Sequence, residues 1–170
     1  MYIFIFALLS PLLIADKLIL RSKKPLFSVK GINVFLDSNS SVNAYVIGKN
    51  LVVTKGFLNL NKDEQKAILA HEFSHIILNH YNKTKAFLVS SIVISLFLFQ
   101  INIAFSLLAL IITFLLSKYL SRRHEIEADK LAYRVVGDEL KNVIEKYGDR
   151  EGSILSSHPT AYTRLKMLSF

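Results

Sequence analysis

AHEFSHIILNH, residues 70–80, sets His71, Glu72 and His75 in a stretch that is otherwise largely apolar. A helix that is hydrophobic nearly all round belongs inside a protein or a membrane, and ionisable groups buried there cost stability unless paired or bound. His71 and His75 are one helical turn apart and share a face. Two imidazole nitrogens at that spacing can grip one Zn²⁺. Glu72, turned about 100° from His71, can reach a water on the metal without being a ligand. This is the H-E-x-x-H pattern of zinc proteases, in which the glutamate is the general base. His80 is half a turn out of phase and is expected to cap the helix C-terminus or to face solvent.

Asn61 is a good N-cap for this helix, with Glu64 three residues on as in a capping box. Upstream, PLFSVKGINVFLDS (25–38) and NAYVIGKNLVVTKGF (43–57) are rich in β-branched and aromatic residues punctuated by glycines. They predict a small meander of two or three strands, with Gly48-Lys49-Asn50 as a hairpin turn.

The 170 residues are 52% hydrophobic with a mean hydropathy of +0.38, too apolar for an ordinary soluble domain. Two stretches account for the excess. Residues 1–20, followed by Arg-Ser-Lys-Lys, lack a basic leader and a small-residue cleavage site, so residues 1–24 read as a retained membrane anchor. Pro11 is tolerated in such a helix. Residues 86–117 contain no charge, and as one straight helix they would be about 48 Å long, beyond a hydrocarbon core of about 30 Å. Gln100 and Asn102 fall at the midpoint. A hairpin over 86–118 follows, with arms of about 22 Å that fit full or partial insertion.

Lys83 and Lys85 on one side and Lys118, Arg122 and Arg123 on the other put both hairpin ends on the same, cytoplasmic, face. The formal charge of +8 is thus spread beside apolar runs rather than gathered into a recognition element, which argues for a lipid bilayer as partner and against nucleic acid. The absence of cysteine excludes disulfides, thiolate metal sites and cysteine nucleophiles.

A catalytic zinc needs a third protein ligand. Leu78 and Tyr81 stand where the metzincin pattern requires Gly and His, which excludes that class. The remaining candidates lie in SRRHEIEADKLAY, residues 121–133. Glu125 and Asp129 share a helical face, so Glu125 can ligate while Asp129 accepts a bond from a ligand histidine. His124 is the rival ligand. Helices are expected over 123–136, over 138–147 and after Ser157-His158-Pro159, with Pro159 in a first turn.

AHEFSHIILNH, followed beyond a hydrophobic hairpin by SRRHEIEAD, resembles the HtpX-type membrane zinc metallopeptidases, the group that includes the CAAX prenyl protease. NAYVIGKNLVVTKGFLNL and SHPTAYTRLKML add matches in the right order, so the resemblance covers residues 40–85 and 120–170. It implies one Zn²⁺ held by His71, His75 and Glu125, which decides against His124, with Glu72 as base and Asp129 behind a ligand. A zinc shared across the hairpin also requires both flanks on one side of the membrane.

Asn43 is a candidate for hydrogen bonding substrate backbone, His158 for a transition-state donor, and Arg164 for pairing with a carboxylate near the site. The expected fold is α+β and mainly α: a strand meander, the active-site helix, a membrane hairpin and a C-terminal helical part, forming one metallopeptidase domain over 25–170. The expected function is hydrolysis of peptide bonds in unfolded or membrane proteins, in quality control, by an integral protein of the cell membrane with its site facing the cytoplasm. The alternatives are a regulatory protease with one specific partner and a non-catalytic zinc-binding membrane protein. A purely structural site would have no use for Glu72.

Overall fold

The structure, a computed structural model, describes residues 14–153 and 156–169. Residues 1–13, most of the expected anchor, lie outside the described residues. Residues 14–21 form helix α1. Four strands follow: β1 (Lys24–Val29), β2 (Ile32–Asp37), β3 (Ala44–Ile47) and β4 (Asn50–Thr54). The helices are α2 (Lys55–Leu58), α3 (Lys62–Ile77), α4 (His80–Ile101), α5 (Ile103–Val136), α6 (Asp138–Tyr147) and α7 (Ala161–Leu168). The fold is α+β and mainly helical.

The sheet is mixed, in the order β1-β2-β4-β3, with β2 parallel to β4 and the other neighbours antiparallel. It is therefore not joined as a simple meander. From Asp37 the chain crosses the end of the sheet through residues 38–43 and enters β3 at the far edge. Thr54, at the end of β4, holds that crossing: its N–H donates to Asn43 O at 3.1 Å, and its hydroxyl lies 2.6 Å from Ser41 O. Gly56 makes room for it, since a Cβ there would sit 2.3 Å from Ser41 O and 2.4 Å from Ser40 O. Gly48, with φ 64°, begins the β3–β4 turn where the sequence places it.

Helix α3 starts as the sequence dictates. Asn61 Oδ1 accepts from Glu64 N at 2.8 Å and Glu64 Oε2 accepts from Asn61 N at 3.3 Å, closing the capping box. Ile68, Leu69 and Phe73 pack on the sheet core of Val34, Leu51, Val53 and Phe57. Ala70, on another face, meets a second core in which Ala132, Leu140, Ile144 and Ala161 join α5, α6 and α7. With apolar surface on both sides, α3 is clamped between sheet and helices, and its histidines are held in place by packing.

Asn79 adopts the left-handed conformation (φ 57°), which asparagine tolerates, and turns the chain between α3 and α4. Helices α4 and α5 form the expected hairpin. Asn102 turns it in extended conformation (φ −161°), and its side chain accepts from Ala104 N at 2.7 Å. Both helices are long and apolar enough to cross a membrane by length and composition. Ser95 and Ser106 are buried in the hairpin, while Phe97, Phe99, Leu107 and Ile111 are exposed. Small residues at the seam let the backbones approach, as in helix pairs within lipid.

In place of a separate helix beginning near 123, α5 runs unbroken for 34 residues, about 51 Å, from the hairpin turn to Val136. Neither glycine nor proline interrupts residues 103–136. The last helix begins after Pro159 rather than with it: Thr160 is the N-cap, its hydroxyl accepting from Thr163 N at 3.2 Å.

Candidate metal centre and cleft

Two helices supply the centre. From α3, His71 and His75 bring their Nε2 atoms to 3.1 Å of each other. From α5, Glu125 places Oε2 at 3.4 Å from His71 Nε2 and Oε1 at 3.5 Å from His75 Nε2. Four donors around a zinc at about 2.05 Å lie about 3.3 Å apart at the corners of a tetrahedron. The three separations lie near that value, the two from Glu125 being to different oxygens, and one donor from each residue lies within 4.8 Å of the others, a set that suits a small divalent cation.

The outer atoms are also engaged. Asp129 Oδ1 lies 2.8 Å from His71 Nδ1, which puts the ring proton on Nδ1 and leaves Nε2 bare in the neutral ring. Arg164 reaches Asp129 from α7 through Nε to Oδ2 at 2.7 Å and Nη2 to Oδ1 at 2.6 Å. Arg164 Nη2 also stands 3.5 Å from His71 Nδ1. Asp129 is only 1% exposed, so the guanidinium supplies the countercharge that its burial demands.

Without a cation the two imidazoles divide their protonation. Burial opposes charge on His71, but the bonds to Asp129 and Glu125 outweigh it and raise its pKa to about 10. Burial and the neighbouring His71 charge push His75 down to about 3. Glu72, in the wall of the cleft, is raised to about 7 chiefly by burial, with the His71 charge opposing and Glu125 adding to the rise. A carboxyl poised there can take and return a proton near neutral pH.

The cleft over the centre has a volume of about 770 Å³. Asn43, just before the edge strand β3, and Tyr45 on that strand line one part, and Val143 and Ile144 on α6 another. Asp16 and Ile19 of α1 close the end nearest the hairpin root. Asp16 is tied to α4 there, bonded to Lys85 Nζ at 2.7 Å and to the Tyr81 hydroxyl.

Every residue singled out from the sequence lies at this cleft or directly behind it. Asn43 immediately precedes β3, with its backbone bound to Thr54 and its side chain exposed. His158 is exposed with Nδ1 3.6 Å from Glu125 Oε1, and that contact raises its pKa against the effect of burial. His124 is not among the converging donors. Its ring stacks on His80, with centroids 4.1 Å apart and planes 9° apart, and its Nδ1 lies 3.3 Å from Thr84 Oγ1.

His80 departs from expectation. It neither caps α3 nor faces solvent; it is 2% exposed, with Nδ1 3.0 Å from His75 Nδ1. One helix through residue 80 would put His80 half a turn away from His71, but the left-handed Asn79 breaks that helix. An asparagine before a histidine at the end of an apolar run was the available signal.

The model of Peptidase family M48 matches residues 15–169. The chain belongs to peptidase family M48. Among solved structures, the crystal structure of S. mikatae Ste24p matches with a TM-score of 0.68 at 19% identity, over 98% of this chain and 56% of that one. This M48 chain thus spans about half the length of Ste24p, and the likeness is one of fold. No curated protein matches it. The M48 match takes in both helices that furnish the converging donors, together with Asp129 and Arg164.

Proposed function

We propose that this M48 chain is a membrane-embedded zinc endopeptidase that cleaves unfolded or membrane proteins at the cytoplasmic face, in protein quality control. The observation that carries the reading is the convergence of His71 Nε2, His75 Nε2 and the Glu125 carboxylate, one donor from each lying within 4.8 Å of the others. His71, His75 and Glu125 hold one Zn²⁺, and Asp129, braced by Arg164, orients His71. Zinc bound there would supply Lewis-acid chemistry, polarising a carbonyl and lowering the pKa of water. Glu72 takes the proton of the attacking water on its carboxylate and passes it to the leaving amine. His158, at the cleft mouth beside Glu125, donates to the oxygen on which charge develops.

Among the described residues β3 is an edge strand, and its outer backbone groups offer an extended peptide a place along the cleft as an added strand. Asn43 meets that peptide's backbone where the strand begins. The exposed apolar surface of α4 and α5 supports bilayer insertion, with residues 1–24 as a further anchor and 25–170 as the peptidase domain. Lysines and arginines at the hairpin roots favour the cytoplasmic side, and their scatter argues against a nucleic-acid partner.

The test is cleavage of casein by detergent-purified, zinc-loaded protein beside Glu72→Gln prepared identically. The parent is expected to cleave and the variant to retain zinc without cleaving. Equal cleavage by both would mean that the activity belongs to a contaminant.

A further inference from the structure

We infer that His80, held by Glu127, is a positioning residue for the metal ligand His75. The inference rests on the zinc-site reading above and deepens it. His71 has a carboxylate, Asp129, behind its Nδ1. His75 has instead a second imidazole, His80 Nδ1, at 3.0 Å. On the other side of that ring, His80 Nε2 lies 3.3 Å from Glu127 Oε2. A carboxylate accepts only, so a neutral His80 carries its proton on Nε2 and presents a bare Nδ1 to His75. His75 must then donate through Nδ1–H, which leaves its Nε2 lone pair free and aimed at the centre.

The relay is built rather than incidental. His80 is buried, and one ring face is covered by His124 at 4.1 Å, which fixes the ring plane. Glu127 is itself held by Arg123 Nε at 2.8 Å. His80 opens α4, while Glu127 and His124 lie on α5 where the two helices leave the hairpin. The orientation of one proposed ligand is thus set by the root of the apolar hairpin, and that of the other by α7 through Arg164.

Two substitutions separate positioning from packing. His80→Phe keeps a flat ring against His124 but removes the acceptor. His80→Asn loses ring volume but offers a carboxamide oxygen near the place of Nδ1. Zinc affinity is measured on the full chain in detergent by competition with a chromophoric chelator, with circular dichroism to establish folding. The absorption spectrum of the Co²⁺-loaded protein reports ligand geometry. His80→Phe is expected to fold and to lose roughly 10- to 100-fold in affinity with an altered Co²⁺ spectrum. His80→Asn should stay within a few-fold of the parent.

Parent-like affinity and spectrum in His80→Phe would overturn the inference, and so would a variant order in which Phe outperforms Asn. If the parent itself takes up no zinc, the fault lies with the zinc-site reading. Parent binding with an indifferent His80→Phe sinks the relay alone.

Discussion

The guanidinium of Arg164 grips the Asp129 carboxylate through two bonds of 2.7 and 2.6 Å, and the same carboxylate stands 2.8 Å from His71 Nδ1. Arg164 therefore stands behind the imidazole of His71, 93 residues away in the chain. Arg164→Ala strips two charge-assisted bonds from the buried Asp129 carboxylate, leaving it only the His71 imidazolium in the metal-free protein, and is expected to cost about 1–3 kcal/mol of stability. Zinc affinity should fall as well. Thermal unfolding of the metal-free variant checks the first effect and chelator competition the second; a melting temperature equal to the parent's would refute the clamp.

Zinc uptake is expected to release protons. In the metal-free protein the His71 pKa stands at about 10, above the 6.5 of a free imidazole. Its contribution to stability is fully present below pH 6.5 and is lost as pH rises through about 10. Ligation needs the bare ring, so between pH 7 and 8 each zinc displaces about one proton and binds more tightly as pH rises. Calorimetry in two buffers of different ionisation enthalpy counts the protons; a count of zero contradicts the protonated His71.

His158 lies 3.6 Å from Glu125 yet remains exposed at the mouth of the cleft. Its removal should spare the metal and impair turnover. His158→Ala is expected to bind zinc as the parent does while kcat falls by roughly 10²–10³, the range for losing one transition-state donor. If kcat holds, or falls only in step with zinc content, His158 has no part in the chemistry.

Gly56 offers a test of the sheet crossing. A methyl group there meets the carbonyl oxygens of Ser40 and Ser41, backbone atoms that yield only if the 38–43 loop moves. Gly56→Ala is expected to cost about 1–3 kcal/mol and to disturb Asn43 and the entry to β3. The readouts are the shift in thermal unfolding and the KM for a peptide substrate. A fully stable variant with unchanged KM would mean that the loop yields without consequence for the edge strand.

What could be read in the chain divides along the range of the interactions. The capping box at Asn61 and Glu64, the shared face of His71 and His75, and the turn at Asn102 are set within a few residues, and each lies where the sequence puts it. The pairing of β2 with β4 is not local. Nothing in either strand says that Thr54 will bind back to Asn43 and draw the crossing over Gly56. A single left-handed dihedral at Asn79 carries His80 out of the phase of α3. The continuity of α5 was legible in the lack of any breaker from 103 to 136, but the change from apolar to charged residues near Lys118 suggested a boundary. That change marks where the surroundings of one helix alter, not where the helix ends.

Glu125 and Asp129 ride on the same unbroken helix as the exposed Phe105, Leu107 and Ile111 of the apolar arm. Some 14 residues, about 21 Å of helix, separate Ile111 from Glu125. A tilt of about 5° in the arm therefore swings Glu125 by about 2 Å, roughly the length of one metal–ligand bond. Tilting is one way such arms accommodate a mismatch with the lipid thickness. In vesicles of graded acyl length, turnover is expected to peak at one thickness; a flat response would mean that packing of α3 on α5 holds the spacing unaided. With a peak, the bilayer becomes the gauge block against which the jaws of the centre are set.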